Sequence, residues 1–214
     1  MFGRKKKHII EVDSRELLLR TAEELFAMHG FDGVSTRMIQ KKCGLNIALI
    51  AYYFGSKEGL FKAILEERFP VIRERLEIIK EEKISNWEKL NKTIDVYVEK
   101  LFEQVLFSKI VFRELSMSQR QEQNELILHY IYPNTLIIKS FFLKGIEKKE
   151  FRKVDIELTI TSIFSIIIQW INVSALTERL IDVSKREDLY NAENKLRLKN
   201  YLKDLMFRHL KIEN

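Results

Sequence analysis

The chain has 214 residues, a formal net charge of +6 and 46% hydrophobic residues, which is enough apolar material for a substantial core. It contains only two prolines and seven glycines, so its composition favours a mostly helical protein. Its one cysteine, Cys43, excludes an intramolecular disulfide and fits a reducing compartment. No run reaches the ~18–20 uncharged apolar residues that span a bilayer, and no secretory signal is evident. We therefore expect a cytoplasmic protein without a membrane partner.

The first predicted helix runs from Ser14 to His29. Asp13 or Ser14 can serve as its N-cap, and Gly30 is a suitable stop. Its apolar residues recur every three to four positions, as they do on one face of a helix.

The next two helices have the spacing of a helix-turn-helix unit. Ser35 can cap a helix over residues 36–43, and Asn46 can cap a second one after a turn of roughly four residues that contains Gly44. An apolar residue precedes each cap and another follows inside each helix, which forms a hydrophobic staple. A longer helix is predicted to begin after Ser56.

The short helix after Asn46 has two different sides on a helical wheel. Ile50 and Phe54 can anchor it, whereas Ala48, Ala51 and Tyr52 are left to face outward. Between residues 34 and 57 the chain has four cationic side chains and no acidic one. A short helix with small outward residues and a cationic rim suits the major groove of DNA. The predicted DNA contacts are Thr36, Arg37, Asn46, Ala48, Ala51, Tyr52 and Lys57, of which Thr36, Arg37 and Lys57 are expected at phosphates.

The segment that contains these helices resembles a known family. Its elements "AEELFAMHGFDGVST", "CGLN" and "YFGSKEGL" are similar, in order and spacing, to the N-terminal DNA-binding domain of tetracycline-repressor-type (TetR/AcrR) transcriptional regulators. The resemblance implies repression that a ligand relieves. That family commonly has tyrosine where this chain has Ala51, and here the tyrosine is Tyr52. The segments "FRELSM" and "IYPNTL" resemble regulators with a CecR-type ligand domain.

Beyond residue 80 the pattern is one of long helices. We predict helices over residues 87–107, 110–117, 122–144, 156–176 and 192–211, with a break or bend at Pro133. Pro70 is expected either to bend the helix that begins after Ser56 or to end it near Phe69. The apolar faces of the last two long helices exceed what one subunit can cover, so we expect them to form a four-helix interface in a two-fold homodimer.

A cavity between these helices is the expected ligand site, because its candidate residues together fit one, whereas each of them alone is more often a core residue. The candidates are aromatic side chains together with a few polar ones, and the effector is expected to be a small molecule of unknown identity. The set is Tyr97, Phe102, Phe112, His129, Tyr130, Gln169, Trp170 and Asn172.

Several other features have two interpretations. The basic segment at residues 4–7 is either an arm that reaches DNA or a solvated tail. Cys43 is either a small packing residue in the turn or a redox sensor. The four histidines lack the Glu-x-x-His pattern of di-iron bundles, and the chain has no HExxH, P-loop or dinucleotide motif. We therefore expect no enzyme activity, no metal and no cofactor.

The sequence thus predicts an all-α protein. Residues 1–56 are expected to form a three-helix DNA-binding domain, and residues 57–214 a larger helical domain that binds a ligand and dimerises. The predicted function is that of a repressor that leaves a near-palindromic operator when a small, largely apolar ligand binds. The alternative is a helical interaction module that answers to a protein partner and binds little or no DNA.

Overall fold

The structure is a computed structural model that describes residues 2–117, 121–171, 175–183 and 185–212, without the side chains of residues 2–13, 175, 176 and 186. Every regular element among them is helical. The α-helices are α1 (Phe2–His29), α2 (Thr36–Cys43), α3 (Ala48–Phe54), α4 (Lys57–Glu81), α5 (Asn86–Glu103), α6 (Val105–Leu115), α7 (Gln121–Glu147), α8 (Ile156–Ile171), α9 (Ala175–Ile181) and α10 (Ala192–Leu210). A 3₁₀ helix, Arg186–Tyr190, lies between α9 and α10.

These helices form two compact units. The first consists of Met1–Pro70 and Leu106–Leu128, and the second of Val71–Val105 and His129–Asn214. The first unit therefore holds α1 to α3, the start of α4, α6 and the start of α7. The predicted division into domains at residue 56 stays a prediction.

The core of the first unit centres on three aromatic rings. Phe26, Phe31 and Phe61 are each at most 3% exposed. Their ring centroids lie 5.1–5.8 Å apart, mostly edge to face, which is a favourable arrangement for aromatic pairs. Phe26 belongs to α1 and Phe61 to α4, while Phe31 lies in the turn after α1. The aromatic cluster thus joins α1, α4 and the entry to α2.

Helix α1 ends as predicted but begins earlier. The N–H of Gly30 donates to the Phe26 carbonyl at 2.8 Å and closes the helix after His29. The predicted start at Asp13 or Ser14 is wrong, because the helix continues through both residues from Phe2. Polar residues that can cap a helix are also tolerated inside one when the flanking residues favour helix. The side chains of the basic segment 4–7 lie outside the described set.

Neither proline ends its helix. Pro70 lies inside α4, so the expected break near Phe69 is absent, and α7 continues through Pro133. A proline removes one hydrogen bond from a helix, and packing of the neighbouring turn can offset that loss. Beside Pro133, Asn134 is only 2% exposed and accepts a hydrogen bond from Arg73 Nε at 2.5 Å.

Predicted helix boundaries beyond residue 80 also need correction. The helix predicted over residues 87–107 ends at Glu103, and α6 begins at Val105 after the single residue Gln104. Ser85 fixes the other end of α5 through a capping box with Glu88. Of the helix predicted over 156–176, the structure shows α8 up to Ile171, and residues 172–174 lie outside the described set.

The second unit has its core among α5, α7, α8 and α10. Phe142, Phe151 and Leu202 are each at most 2% exposed. By length and composition alone, α7 could also cross a membrane, which the sequence analysis did not anticipate. A single helix of this kind is weak evidence, because the core helix of a soluble protein has the same properties.

Candidate nucleic-acid interface and ligand cavity

The turn between α2 and α3 is built from local hydrogen bonds. Gly44 adopts a left-handed conformation with φ 72°, which suits glycine, and its N–H donates to the Gln40 carbonyl at 2.8 Å. The Asn46 Oδ1 accepts the N–H of Ala48 at 2.9 Å. The capping role predicted for Asn46 is therefore present, although Ile47 is the residue directly before the helix. These bonds define the angle at which α3 leaves the turn.

Helix α3 is held from one side and open on the other. Ile50 is 2% exposed, whereas Ala48 and Ala51 are exposed and Tyr52 is 71% exposed. The ring of Tyr52 packs edge to face on Tyr53, with centroids 4.9 Å apart. The outward tyrosine is therefore supported by its neighbour, and the open face consists of two small side chains beside one aromatic ring.

Helix α2 directly precedes α3 in the sequence, and its first turn is capped by a side chain. Ser35 Oγ accepts the N–H of Met38 at 3.2 Å, as predicted. Thr36 is half-buried and Arg37 is exposed in the first turn. The uncapped N–H groups and the positive end of a helix dipole attract anions at such a position.

The cationic rim is smaller than the sequence suggested. Lys42 forms an ion pair with Glu24 of α1 at 2.8 Å, which offsets its charge. Arg37 and Lys41 are exposed, and among the described residues no carboxylate forms an ion pair with either of them. The positive charge available to an anionic partner is therefore concentrated on α2.

Lys57 has an internal role that the sequence analysis missed. Its Nζ donates to the carbonyls of Phe31 and Val34, both at 3.1 Å, and lies 4.2 Å from the centroid of the Phe31 ring. The ammonium therefore ties the first residue of α4 to the turn between α1 and α2. An ammonium has three N–H groups, so one remains for another acceptor. Its contact with a phosphate stays a prediction.

The second unit contains a small cavity of about 40 Å³. Its walls come from α5, α7, α8 and α10, and they are apolar apart from Thr93 and Tyr97. The Thr93 hydroxyl donates to the Lys89 carbonyl of its own helix. Burial raises the pKa of Tyr97, because the phenolate would lose its hydration. The lining residues are Leu90, Thr93, Ile94, Tyr97, Ile138, Phe142, Ile160, Ile163, Phe164, Ile167 and Met206.

Of the predicted pocket residues, Tyr97 is the one that lines this cavity. Phe102 packs instead against Trp170, at 6.5 Å between centroids, and against Tyr190 at 5.8 Å. Gln169 is exposed and donates to the Thr177 hydroxyl.

The remaining pocket predictions also fall elsewhere. His129 is exposed and packs edge to face on Tyr130. Phe112 lies in the first unit, and Asn172 lies outside the described residues.

The lining residues that the sequence analysis missed are mostly apolar side chains from all four helices, and they include Phe142, Phe164 and Met206. Leu90, Ile94 and Tyr97 recur at helical spacing on α5, but no sequence signal shows which faces of α7, α8 and α10 meet them. Within the described part of the chain, no group of three or more His, Cys, Asp or Glu side chains could hold a metal ion.

The first unit contains a segment that matches a known protein family. Residues 18–64 match the family described as bacterial regulatory proteins, tetR family. The HTH-type transcriptional regulator YttP of Bacillus subtilis is 34% identical over 68 residues, which are 32% of this chain and 33% of YttP. The chain thus spans about a third of the length of this relative.

Two further similarities extend over most of the chain. The fatty acid metabolism regulator protein of Bacillus subtilis is 23% identical over 170 residues, which are 78% of this chain and 86% of that protein. The structure of FadR from Bacillus subtilis in complex with stearoyl-CoA has a TM-score of 0.66 at 22% identity, covering 89% of this chain and 96% of FadR. These relatives are all described as regulators. The predicted all-α fold with an N-terminal helix-turn-helix domain is confirmed.

Proposed function

We propose that this chain, which is a TetR-type transcriptional regulator, is a homodimeric repressor that leaves its operator when an apolar ligand occupies the cavity of the second unit. The observation that carries this proposal is the open face of α3. Ala48 and Ala51 leave room for a base edge, and the supported ring of Tyr52 is aligned beside them. Such a regulator of bacterial genes would act in the cytoplasm.

The DNA contacts divide into two groups. Ala48, Ala51 and Tyr52 would face the major groove, where small and aromatic side chains meet base edges. The Asn46 amide nitrogen could add a contact, since its oxygen already accepts the Ala48 N–H. Thr36, Arg37 and the remaining N–H of Lys57 would bind phosphates and set the register on the duplex.

The dimer would form through α8 and α10. On α8, Leu158 is exposed together with Thr161, Ser162 and Ser165. All three hydroxyls donate to carbonyls of their own helix. Burying this face in an interface would therefore leave none of these donors without a partner. Small side chains of this kind let a second helix approach closely.

Helix α10 would supply the other half of this interface. Leu196 and Tyr201, both more than half exposed, extend the apolar area. To meet successive major grooves, the two copies of α3 in such a dimer would lie about 34–36 Å apart, and the operator would be near-palindromic.

The walls of the cavity favour a hydrocarbon chain as ligand. Its volume of about 40 Å³ is far below the roughly 300–1,000 Å³ of typical ligand pockets, so a ligand must move the walls apart. FadR, with a related fold, binds stearoyl-CoA. A ligand can release the operator only if it binds the DNA-free arrangement more tightly, and ~1.4 kcal/mol of that difference changes operator affinity about tenfold.

Selection of duplexes from a random library by the full chain tests DNA binding. We expect a near-palindromic sequence, protected in a footprint, and release of that sequence by stearoyl-CoA. Replacing Ile94 by Phe fills the cavity and should leave operator binding intact while abolishing the response to stearoyl-CoA. Ile78→Phe, at an exposed position, is the matched control and should keep the response. Failure to enrich any duplex contradicts the proposed function, whereas an unchanged response of Ile94→Phe contradicts only the ligand site.

A further inference from the structure

The last turn of α6 carries two charged residues that bind the end of α1 and the turn after it. Arg113 and Glu114 belong to the segment "FRELSM", and neither is among the predicted DNA contacts or cavity residues. Glu114 is 0% exposed, which is rare for a carboxyl group. Burying a carboxylate is costly unless hydrogen bonds or charges compensate for it. The groups that contact the buried Glu114 carboxylate therefore indicate its role.

Glu114 holds the turn between α1 and α2. Its Oε1 accepts the N–H of Phe31 at 3.1 Å, in a bond shielded from solvent. Phe31 itself is 3% exposed, so water cannot replace the carboxylate as the acceptor. Removing this acceptor would leave a buried N–H group without a partner.

Arg113 holds the residues just before that turn. Its Nη1 donates to the carbonyl of Ala27 at 3.2 Å, in the last turn of α1. The last carbonyls of a helix have no partner within the helix and carry partial negative charge. The guanidinium of Arg113 donates the hydrogen bond that this carbonyl lacks, and its positive charge interacts favourably with the negative end of the helix dipole. Two consecutive residues of α6 thus bind both sides of the end of α1.

Phe31 is also held from its other side by α4. Lys57 Nζ donates to the Phe31 carbonyl and lies over its ring, so both polar groups of one peptide residue are bound by charged side chains. Ser35, the cap of α2, follows four residues later. The position of α2, and through the Gly44 turn that of α3, therefore depends on where α6 and α4 hold Phe31.

Helix α6 is also directly joined to the helix that lines the cavity. Helix α5 contributes four lining residues, and the single residue Gln104 separates its end from the start of α6. Helices α5 and α6 are therefore consecutive along the chain, with a single residue between them.

We propose that Arg113 and Glu114 are positioning residues for DNA binding, and that the end of α6 sets the position of α2 and α3 through Phe31. This inference rests on the proposed function and adds to it the contact through which α6 acts on the DNA-binding helices. A shift of α6 would loosen the hold on Phe31 and lower operator affinity without any change in the DNA contacts themselves.

Two variants at one position separate this role from general stability. Glu114→Gln keeps an oxygen that can accept the Phe31 N–H, and Glu114→Met removes it at similar volume. Ile110→Val, at a fully buried position of the same helix, is the matched control that lowers stability without touching the turn. The readouts are amide hydrogen exchange of Phe31 relative to that of Leu65, and affinity for a duplex selected by the wild-type chain.

We expect Glu114→Met to accelerate the relative exchange of Phe31 and to weaken operator binding, each about tenfold. Glu114→Gln should restore most of the protection of the Phe31 amide and most of the operator affinity, and Ile110→Val should change neither quantity. Wild-type exchange and affinity in Glu114→Met would overturn the inference, as would an equal effect of Ile110→Val.

If Glu114→Met does not fold, Arg113→Gln, which removes only the bond to Ala27, must weaken operator binding about threefold or the inference fails. Absence of any selected duplex would overturn the proposed function instead, while the exchange data would still show whether Glu114 holds Phe31.

Discussion

Replacing Lys57 by Met removes the ammonium that joins α4 to the turn after α1. Two hydrogen bonds of 3.1 Å and one contact with an aromatic ring are lost together. Hydrogen bonds that involve a charged group contribute about 1.5–3 kcal/mol each, and a cation–π contact about 0.5–1 kcal/mol. Lys57 is half-buried, so hydration of the ammonium in the unfolded chain offsets part of this sum. We expect the free energy of unfolding to fall by about 2–3 kcal/mol.

Urea denaturation followed by circular dichroism measures this change, with Lys62→Met as the control. Lys62 lies one turn further along α4, and its exposed pair with Glu66 at 3.6 Å should contribute under about 0.5 kcal/mol. The same variants titrated against the selected operator at several salt concentrations separate the two roles of Lys57. A lost phosphate contact lowers the salt slope by about 0.9, whereas a purely internal role leaves it unchanged. Equal stability of Lys57→Met and wild type would refute the reasoning from these contacts.

Three further changes have clear expected outcomes. Tyr52→Ala should weaken operator binding, measured by fluorescence anisotropy. The dimer should stay intact and the free energy of unfolding should stay within about 0.5 kcal/mol of wild type, because the side chain is 71% exposed. Gly145→Ala should lower the free energy of unfolding by about 1–3 kcal/mol in urea, because a Cβ would lie 2.2 Å from the ring of Phe151. Burial, reinforced by Arg152, lowers the pKa of His209 below its ordinary 6.5. The folded state therefore disfavours the proton, and the stability that this group contributes is full above pH 6.5 and is lost as the pH falls through the lowered value. His209→Gln should flatten this part of the pH dependence in urea titrations.

The DNA-binding helices could be predicted because their signals are local. Caps at Ser35 and Asn46, the glycine turn at Gly44 and the apolar anchor Ile50 all act within a few residues. Such features specify a short helix regardless of the rest of the chain. The outward position of Tyr52 followed from helical periodicity alone.

The cavity could not be predicted in the same way, because it depends on which helix faces meet. Aromatic and polar residues were expected to line it, yet its walls are mostly aliphatic side chains from four helices. The hydrogen bond from Phe31 to Glu114 joins residues 83 positions apart, a separation that no periodic pattern reveals. Likewise, local rules predict a break at Pro133, yet α7 continues through it, and the neighbouring Asn134 is buried.

The central claim is that the open face of α3 binds double-stranded DNA, and a carboxylate on that face tests it most directly. Ala51→Glu places a negative charge beside Tyr52, whereas Ile78→Glu makes a comparable change at an exposed position of the second unit. Affinity for the selected duplex, measured at one salt concentration, should be lost in Ala51→Glu and retained in Ile78→Glu, with both variants dimeric and folded. Undiminished binding by Ala51→Glu would contradict the assignment of α3 as the helix that reads DNA.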